Sequence, residues 1–222
     1  MSRSPFDPSF DELPAILPIF PLTGVLLLPR GRLPLNIFEP RYLAMTRDAL
    51  AGARMIGMVQ PLEGQGDAGD PPVYSIGCAG RIIAFSETED GRYLITLAGL
   101  ARFAIAEELP RDRLYRRVHP DWQRFRGDLI AETTQPFERA RLIAALKPFF
   151  QRHGVTADWR AIEAIPDERL VTTIAMIAPL APSEKQALLE SPDEGERARL
   201  LVTLIEMAVL GGAQPVAGGA RH

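Results

Sequence analysis

A Gly-x-Gly-x-x-Gly pattern over residues 64–69 matches loops that bind the pyrophosphate of dinucleotides. In that chemistry the glycine loop opens a helix, so that the helix N-terminus faces the phosphates. Here Asp-Pro-Pro follows at 70–72 and leads into a strand, so we interpret the pattern as a surface loop. Lys147 and Lys185 both lack the glycines of a phosphate-binding loop. The sequence therefore predicts no nucleotide site and no cofactor.

Ser183 and Lys185 are the residue types of a serine–lysine hydrolytic pair. Such a nucleophile needs its base within hydrogen-bond reach and shielded from water. We expect instead that Ser183 caps a helix in a Ser-x-x-Gln box, with Lys185 solvated in the first turn. Cys78 has no neighbouring histidine to activate it and is expected to be a small buried hydrophobe. The sequence thus predicts no catalytic residue.

Metal ligation is also not expected. The three histidines, His119, His153 and His222, form no His-x-x-x-His pattern, and one cysteine cannot form a Cys-x-x-Cys pair. Acidic pairs at 87/89 and at 107–108 fall at expected strand ends and turns. We interpret them as solvated edges.

Residues 111–126 contain six arginines and two aspartates, interleaved with aromatic residues. Arginine and aromatic side chains together bind single-stranded nucleic acid by charge and stacking, which makes RNA binding the alternative function. The segment also fits an edge strand whose charges deter aggregation, or a protein interface, where arginine, tyrosine and tryptophan are enriched. The candidate RNA contacts are Arg116, Arg117, Trp122, Arg124 and Arg126.

The bulk composition of the 222-residue chain is that of an ordinary globular protein, with 46% hydrophobic and 24% charged residues. A net charge of −3 gives no broad attraction to nucleic acid or to an anionic membrane. A single cysteine suits a reducing compartment, and the N-terminus lacks the apolar core of a signal peptide. No apolar run approaches the ~20 residues of a membrane span. We therefore expect a soluble cytoplasmic protein.

Short apolar runs broken by prolines predict β-strands in the first half of the chain, since proline is tolerated at strand edges and starts. Asp90-Gly91 lies between two such runs and predicts a tight hairpin turn. Gly99 is expected to separate two further strands. Pro40 as a first helical residue and Gly52 as a stop predict one helix among the strands.

After about residue 134 the apolar spacing becomes helical. Pro148 should end or kink the first of these helices, and residues 166–177 predict a second. Capping boxes beginning at Ser183 and Ser191 predict two more helix starts, and Gly211-Gly212 ends the last stripe. Four parts result: an arm at 1–13, a strand-rich part at 14–130, a helical part at 131–210 and a disordered tail at 211–222.

Two stretches resemble the opening of the N-terminal domain of Lon proteases. They read Leu-Pro-Ile-Phe-Pro-Leu-Thr-Gly-Val-Leu-Leu-Leu-Pro at 17–29 and Leu-Pro-Leu-Asn-Ile-Phe-Glu-Pro-Arg-Tyr at 33–42. Segments within 76–82, 90–103 and 182–197 are similar to later parts of that domain. The Ile-Phe-Glu-Pro-Arg-Tyr motif is most similar to free-standing versions of the domain.

The resemblance implies an α+β fold, in which a barrel of the pseudouridine-synthase-associated (PUA-like) type precedes a small helical bundle. It also implies a non-catalytic module that recognises protein substrates, because the ATPase and peptidase domains of Lon have no room in this sequence. The expected function is that of an adaptor in protein quality control. Its partners would be unfolded or peptide-like polypeptides and a separate protease or chaperone. The sequence sets no oligomeric state.

Four residues at the entry to the helix that begins with Pro40 are the candidate contacts for such a polypeptide: Phe38, Glu39, Arg41 and Tyr42. A structural role is the alternative for the same residues. Glu39 complements a helix N-terminus, while Phe38 and Tyr42 fill the core beside it.

Overall fold

The computed structural model describes residues 5–62, 71–130 and 137–211. The chain divides into two compact units, one within residues 1–132 and the other within 133–222. The first, here called the barrel unit, contains every strand of the described part of the chain, and the second, the helical unit, contains only helices there. The glycine pattern at 64–69 and the tail beyond Gly211 lie outside the described residues.

The barrel unit has six strands among its described residues, with one α-helix after the second. The strands are β1 (Leu17–Pro21), β2 (Arg32–Ile37), β3 (Met55–Val59), β4 (Ile76–Glu87), β5 (Tyr93–Glu108) and β6 (Arg116–Asp121). The helix is α1 (Pro40–Ala51), and two 3-10 segments cover Phe10–Glu12 and Gln123–Leu129. α1 begins with Pro40 and ends before Gly52, as its sequence predicts.

The strands follow the order β2-β5-β4-β3-β1-β6, and β6 also pairs with β5. This extra pairing closes β5, β4, β3, β1 and β6 into a ring, while β2 lies on the first part of β5. Only β1 and β3 pair in parallel among these strands; the other pairs are antiparallel. The predicted barrel is thus confirmed.

The barrel core is apolar and includes Leu17, Phe103, Val118 and Trp122. The rings of Phe103 and Trp122 lie 5.6 Å apart between centroids, within the range of favourable aromatic pairs. The N-terminal arm joins this core through Phe10, which packs against it. Cys78 is fully buried, as predicted.

β5 is one continuous strand of 16 residues, so the prediction that Gly99 separates two strands is wrong. Gly99 lies inside the strand because another part of the chain passes very close to it. A Cβ atom at this position would stand 2.0 Å from the carbonyl oxygen of Leu28. The glycine is required by close backbone approach and not by a turn.

The hairpin predicted at Asp90-Gly91 joins β4 and β5. Gly91 has a φ of +81°, which favours glycine. The connection spans five residues, 88–92, and the N–H of Thr88 donates to the carbonyl of Arg92 at 3.0 Å. The turn is therefore longer than the two-residue form that the sequence suggests.

The helical unit has five helices in its described part: α2 (Arg139–Arg152), α3 (Trp159–Glu163), α4 (Asp167–Ile177), α5 (Pro182–Glu190) and α6 (Glu194–Leu210). α2, α4 and α5 all pack against α6. Leu146, Leu170 and Leu201 are fully buried between them. No helix of the described residues is long and apolar enough to cross a bilayer.

Pro148 does not end α2, which excludes the first of the two predicted outcomes, an end or a kink at this residue. It lies inside the helix, which continues to Arg152. Phe149 and Phe150, directly after the proline, are almost completely buried. Burial of two such side chains offsets the hydrogen bond that a proline cannot donate, a loss of about 3 kcal/mol in a helix interior.

The two predicted capping boxes are wrong in register. Pro182 is the first residue of α5, so Ala181 is its cap, and the Ala181 N–H donates to the Glu184 carboxylate at 2.7 Å. At the next junction Ser191 ends α5, and Asp193 caps α6 by accepting from the N–H of Glu196 at 2.8 Å. At both helix starts a carboxylate accepts the hydrogen bond where a hydroxyl cap was predicted. Glu184 does so from the first turn of α5, and Asp193 does so as the cap of α6.

Lys185 is also placed differently from its prediction. Its side chain is buried and donates to the carbonyl of Met176 at 3.3 Å. Burial lowers the pKa of this lysine from its ordinary value. The residue was expected in solvent because the predicted helix began two residues too late, with Ser183 in place of Ala181 as the cap. The observed side chain lies in the bundle interior.

Candidate functional site

The four candidate contact residues lie at the entry to α1: Phe38 and Glu39 between β2 and the helix, and Arg41 and Tyr42 in its first turn. Phe38 is 44% exposed. The Arg41 guanidinium donates to the Glu39 carboxylate at 2.9 Å and lies 4.6 Å from the centre of the Tyr42 ring. Both members of the ion pair remain about two-fifths exposed. Phe38, Glu39 and Arg41 are thus accessible to a partner.

Tyr42 is buried, with its ring centroid 4.1 Å from that of Phe20. Burial raises the pKa of the Tyr42 hydroxyl above its ordinary value. The side chain belongs to the contact between α1 and the barrel. Tyr42 is therefore the least accessible of the four candidate contacts.

Further exposed apolar side chains lie where the β4–β5 hairpin extends beyond the closed ring. Phe85 is 38% exposed and Leu94 is 46% exposed. Phe85 stacks edge-on against Tyr93, with 5.0 Å between ring centroids. Phe85 pairs with Ile95 and Leu94 with Ser86, so these two side chains lie on opposite faces of the hairpin. We call Phe38 and Leu94 the hairpin surface.

Strand pairing and the turn place Phe38 beside this hairpin. Ile37, the residue before it, pairs with Tyr93 of β5. The guanidinium of Arg92 lies 5.8 Å from the centre of the Phe38 ring and is held by Asp90 at 2.8 Å. A hydrogen bond from Thr88, together with the charge of Arg92, lowers the pKa of Asp90. The turn is therefore anchored by its own polar residues next to the apolar side chains.

The strand beside the hairpin surface has an open edge. Among the described residues, β2 pairs with β5 alone. Pro34, which has no N–H to donate, is tolerated at such an edge. Asn36 pairs with Leu94, and its side-chain oxygen is buried without a hydrogen-bond partner in the described part of the chain.

β6, at the centre of the arginine-rich segment, is not an edge strand, contrary to one of the sequence interpretations. It pairs with both β1 and β5. The Arg116 guanidinium forms two hydrogen bonds to the Glu108 carboxylate, at 2.7 and 2.6 Å, and Arg117 pairs with Asp112. These two arginines are engaged within the protein.

The remaining RNA candidates differ in exposure. Trp122 is buried in the barrel core, where its indole N–H donates to the carbonyl of Pro14 at 3.2 Å. Arg124 and Arg126 are exposed and lie over the rings of Phe125 and Phe10, at 5.2 and 4.5 Å. The arrangement leaves no aromatic side chain of this set free to stack with a base.

The residue types of catalysis and metal binding are not brought together. The described residues contain no group of three histidine, cysteine or acidic side chains that could hold a metal ion. Ser183 lies in the first turn of α5, and the amine of Lys185 contacts a backbone carbonyl of α4. The described residues therefore bring no catalytic pair and no metal-ligand group together.

The family model of the ATP-dependent protease La (LON) substrate-binding domain matches residues 16–207. The chain belongs to this family. Its matched region covers both the barrel unit and the helical unit. The resemblance of the N-terminal motifs is confirmed at the level of the family.

Two curated relatives and two solved structures show the extent of the similarity. Lon protease 2 of Myxococcus xanthus is 27% identical over 202 residues, which are 88% of this chain and 24% of that protein. Lon protease of Anaeromyxobacter dehalogenans is 32% identical over 98 residues, 44% of this chain and 12% of that protein. The chain thus spans about a quarter or less of the length of these relatives.

The solved structures show the same fold. A Lon N-terminal domain protein from Xanthomonas campestris gives a TM-score of 0.57 at 23% identity, covering 85% of this chain and 97% of that one. The N-terminal domain of a Mycobacterium avium complex Lon protease gives 0.59 at 19% identity, covering 86% and 97%. The barrel followed by helices is the shared architecture.

Sequence reasoning found Phe38 but missed Phe85 and Leu94. All three are ordinary apolar residues, and the residues directly beside each of them in the sequence do not indicate that it is exposed. A signal was present in the hairpin: strands flanking Asp90-Gly91 carry apolar residues on both faces, more than one buried face can accommodate.

Proposed function

We propose that this domain binds unfolded or peptide-like polypeptides through the hairpin surface, without catalysis of its own. The observation that carries the proposal is the pair of half-exposed apolar side chains, Phe38 and Leu94, in a member of a substrate-binding family. Burial of apolar area contributes about 25 cal/mol per Å². Apolar segments of an unfolded chain are the partners that gain most from such a surface.

The open edge of β2 offers the backbone part of the same interaction. An extended polypeptide can add to an exposed strand through main-chain hydrogen bonds, while its side chains set specificity. Pro34 limits the number of such bonds along the strand.

Fluorescence anisotropy of a permanently unfolded protein, reduced and carboxymethylated α-lactalbumin, tests the proposal. The double variant Phe38→Ser/Leu94→Ser removes two apolar side chains, and about half the surface of each is exposed to a partner. Loss of that apolar contact corresponds to roughly a thirtyfold weaker affinity. Met207→Ser is the matched control, because Met207 is 62% exposed but lies in the helical unit. Equal affinities for the wild type and the double variant would refute the assignment.

We further propose that the domain acts in the cytoplasm as an adaptor for a separate protease or chaperone. The single cysteine, Cys78, is buried and free, which suits a reducing compartment. The family match covers a substrate-binding domain, so we expect neither ATP hydrolysis nor cleavage of casein by this chain. Turnover that disappears in Ser183→Ala would contradict this expectation.

RNA binding is the alternative and rests on the sequence of residues 111–126. Ion pairs of Arg116 and Arg117, with burial of Trp122, favour a structural role for most of that segment. Arg124 and Arg126 are the two exposed members that remain available for testing.

A further inference from the structure

A cleft of about 500 Å³ lies in the barrel unit, between the second half of α1 and the loop before β6. Ala44, Arg47 and Asp48 line it on the helix side, and residues 111–115 line it on the loop side. A volume in this range holds a short peptide segment or a small ligand. The cleft is separate from the hairpin surface and contains none of the four predicted contact residues.

The two aspartates of the cleft are already occupied within the protein. Asp48 accepts from the Tyr115 hydroxyl at 2.6 Å and from the Arg113 guanidinium at 3.3 Å. Asp112 pairs with Arg117, which lies outside the lining. Their negative charges are therefore compensated, and they do not repel an anion that enters.

The arginines of the cleft are more numerous than its aspartates. Arg47, Arg111 and Arg113 all line it. Arg47 is exposed and, among the described residues, has no hydrogen-bond or ion-pair partner. Guanidinium groups bind carboxylates through paired, charge-assisted hydrogen bonds. The unsatisfied charge of the cleft is thus positive.

An apolar contact lies beside these charges. Leu114 is 71% exposed at the cleft, while Ala44 and the body of Tyr115 line its interior. The hydroxyl of Tyr115 is fixed by Asp48, so this wall is preorganised. A ligand that fits has a carboxylate next to an apolar side chain.

We infer that this cleft binds a carboxylate of the polypeptide held at the hairpin surface, either its C-terminus or an acidic side chain. The inference rests on the proposed function. Phe38 lies two residues before α1, and from Pro40 to Arg47 the helix rises about 10 Å at 1.5 Å per residue. A segment of four to five extended residues is long enough to cover this rise and the two residues before it.

Three serine–leucine peptides, each labelled at the N-terminus with an uncharged boron-dipyrromethene dye, test the inference by anisotropy. One has a free C-terminal carboxylate, one is amidated and carries an internal glutamate, and one is amidated and uncharged. We expect Arg47→Ala to weaken the carboxylate peptides about five- to tenfold and to leave the uncharged peptide unchanged. Which carboxylate peptide responds tells the C-terminus from the side chain.

Arg160→Ala is the matched control, because Arg160 is an exposed arginine of the helical unit. Arg47→Glu should weaken the carboxylate peptides more than Arg47→Ala, since it adds repulsion. Circular dichroism of each variant confirms that an exposed substitution leaves the fold intact.

Equal effects of Arg47→Ala on all three peptides, or equal wild-type affinity for all three, would overturn the inference. If the uncharged peptide still depends on Phe38 and Leu94, the proposed function survives that result. If the wild type binds none of the peptides, both are wrong. A uridine oligomer that binds more tightly than any peptide and is lost in Arg47→Ala would assign the cleft to nucleic acid instead.

Discussion

The buried ion pair between Arg102 and Asp128 provides the sharpest test of how the barrel unit is held together. The carboxylate of Asp128 accepts three hydrogen bonds from Arg102: from its backbone N–H at 2.9 Å, from Nε at 2.9 Å and from Nη2 at 2.8 Å. Both side chains are less than a tenth exposed. The pair joins β5 to the 3-10 segment after β6.

Asp128→Ala removes both acceptor oxygens, and with them three hydrogen bonds, and takes this carboxylate away from a buried guanidinium. Breaking one partner of a buried ion pair costs about 3–5 kcal/mol, because the remaining charge is desolvated and unpaired. The Phe125 ring, 4.7 Å from the guanidinium, cannot replace a carboxylate. We therefore expect the free energy of unfolding of the barrel unit to fall by about 4 kcal/mol.

Urea denaturation followed by tryptophan fluorescence measures this change. The protein has two tryptophans, and Trp122 lies in the barrel unit while Trp159 lies in α3. A Trp159→Phe background isolates the barrel signal. The control is Glu196→Ala, which breaks an exposed ion pair with Arg199 on α6 and should leave the midpoint unchanged.

A loss below about 1 kcal/mol for Asp128→Ala would refute the reasoning, because it equals the value of an exposed ion pair. The double variant Arg102→Met/Asp128→Leu separates charge from packing. It removes both charges together and should be much closer to the wild type than either single substitution.

Three further predictions concern single features. Gly99→Ala should lower the free energy of unfolding by about 3 kcal/mol in a thermal melt, because its Cβ would collide with the Leu28 carbonyl. Burial and the hydrogen bond to Asp48 raise the pKa of Tyr115 from 10.0 to about 12. The stabilisation that comes from protonated Tyr115 is therefore complete below pH 10 and is lost as the pH rises towards 12. The stability of Tyr115→Phe should not show this pH dependence. The affinity for a polypeptide should fall little when salt rises from about 50 to 200 mM, and little in Arg124→Ala/Arg126→Ala. The affinity for an RNA with six phosphate contacts would fall about a thousandfold over the same salt range.

Local sequence signals predicted the elements that depend on a few neighbouring residues. Pro40 and Gly52 mark the ends of α1, and Gly91 adopts the positive φ that its hairpin needs. Such features rest on the backbone preferences of proline and glycine themselves. The resemblance to the family predicted the whole barrel. No pattern of neighbouring residues predicts that the barrel closes.

Features that depend on distant parts of the chain were not predictable in this way. Gly99 is set by Leu28, about seventy residues earlier, so its role in a continuous strand is invisible locally. Ser183 lost its capping role because Pro182 takes the first helical position. Trp122 is buried by tertiary packing although its sequence neighbours are charged.

The candidate site was only partly predictable for the same reason. Phe38 was identified from the loop before α1, but Leu94 comes near it only through the pairing of β2 with β5. Exposure of an apolar residue depends on what covers it, and that depends on the whole fold.

Closure of the barrel has a consequence for how the protein is made. Leu17 of β1 pairs with Val118 of β6, so the first strand waits for a partner translated roughly a hundred residues later, about 5–20 s at ordinary rates of synthesis. Until then β1 and the second part of β5 lack their β6 neighbour, and pairing across such long separations is slow. During that interval the nascent chain is itself an unfolded polypeptide with open strand edges. It then resembles the polypeptides that the finished domain is proposed to bind.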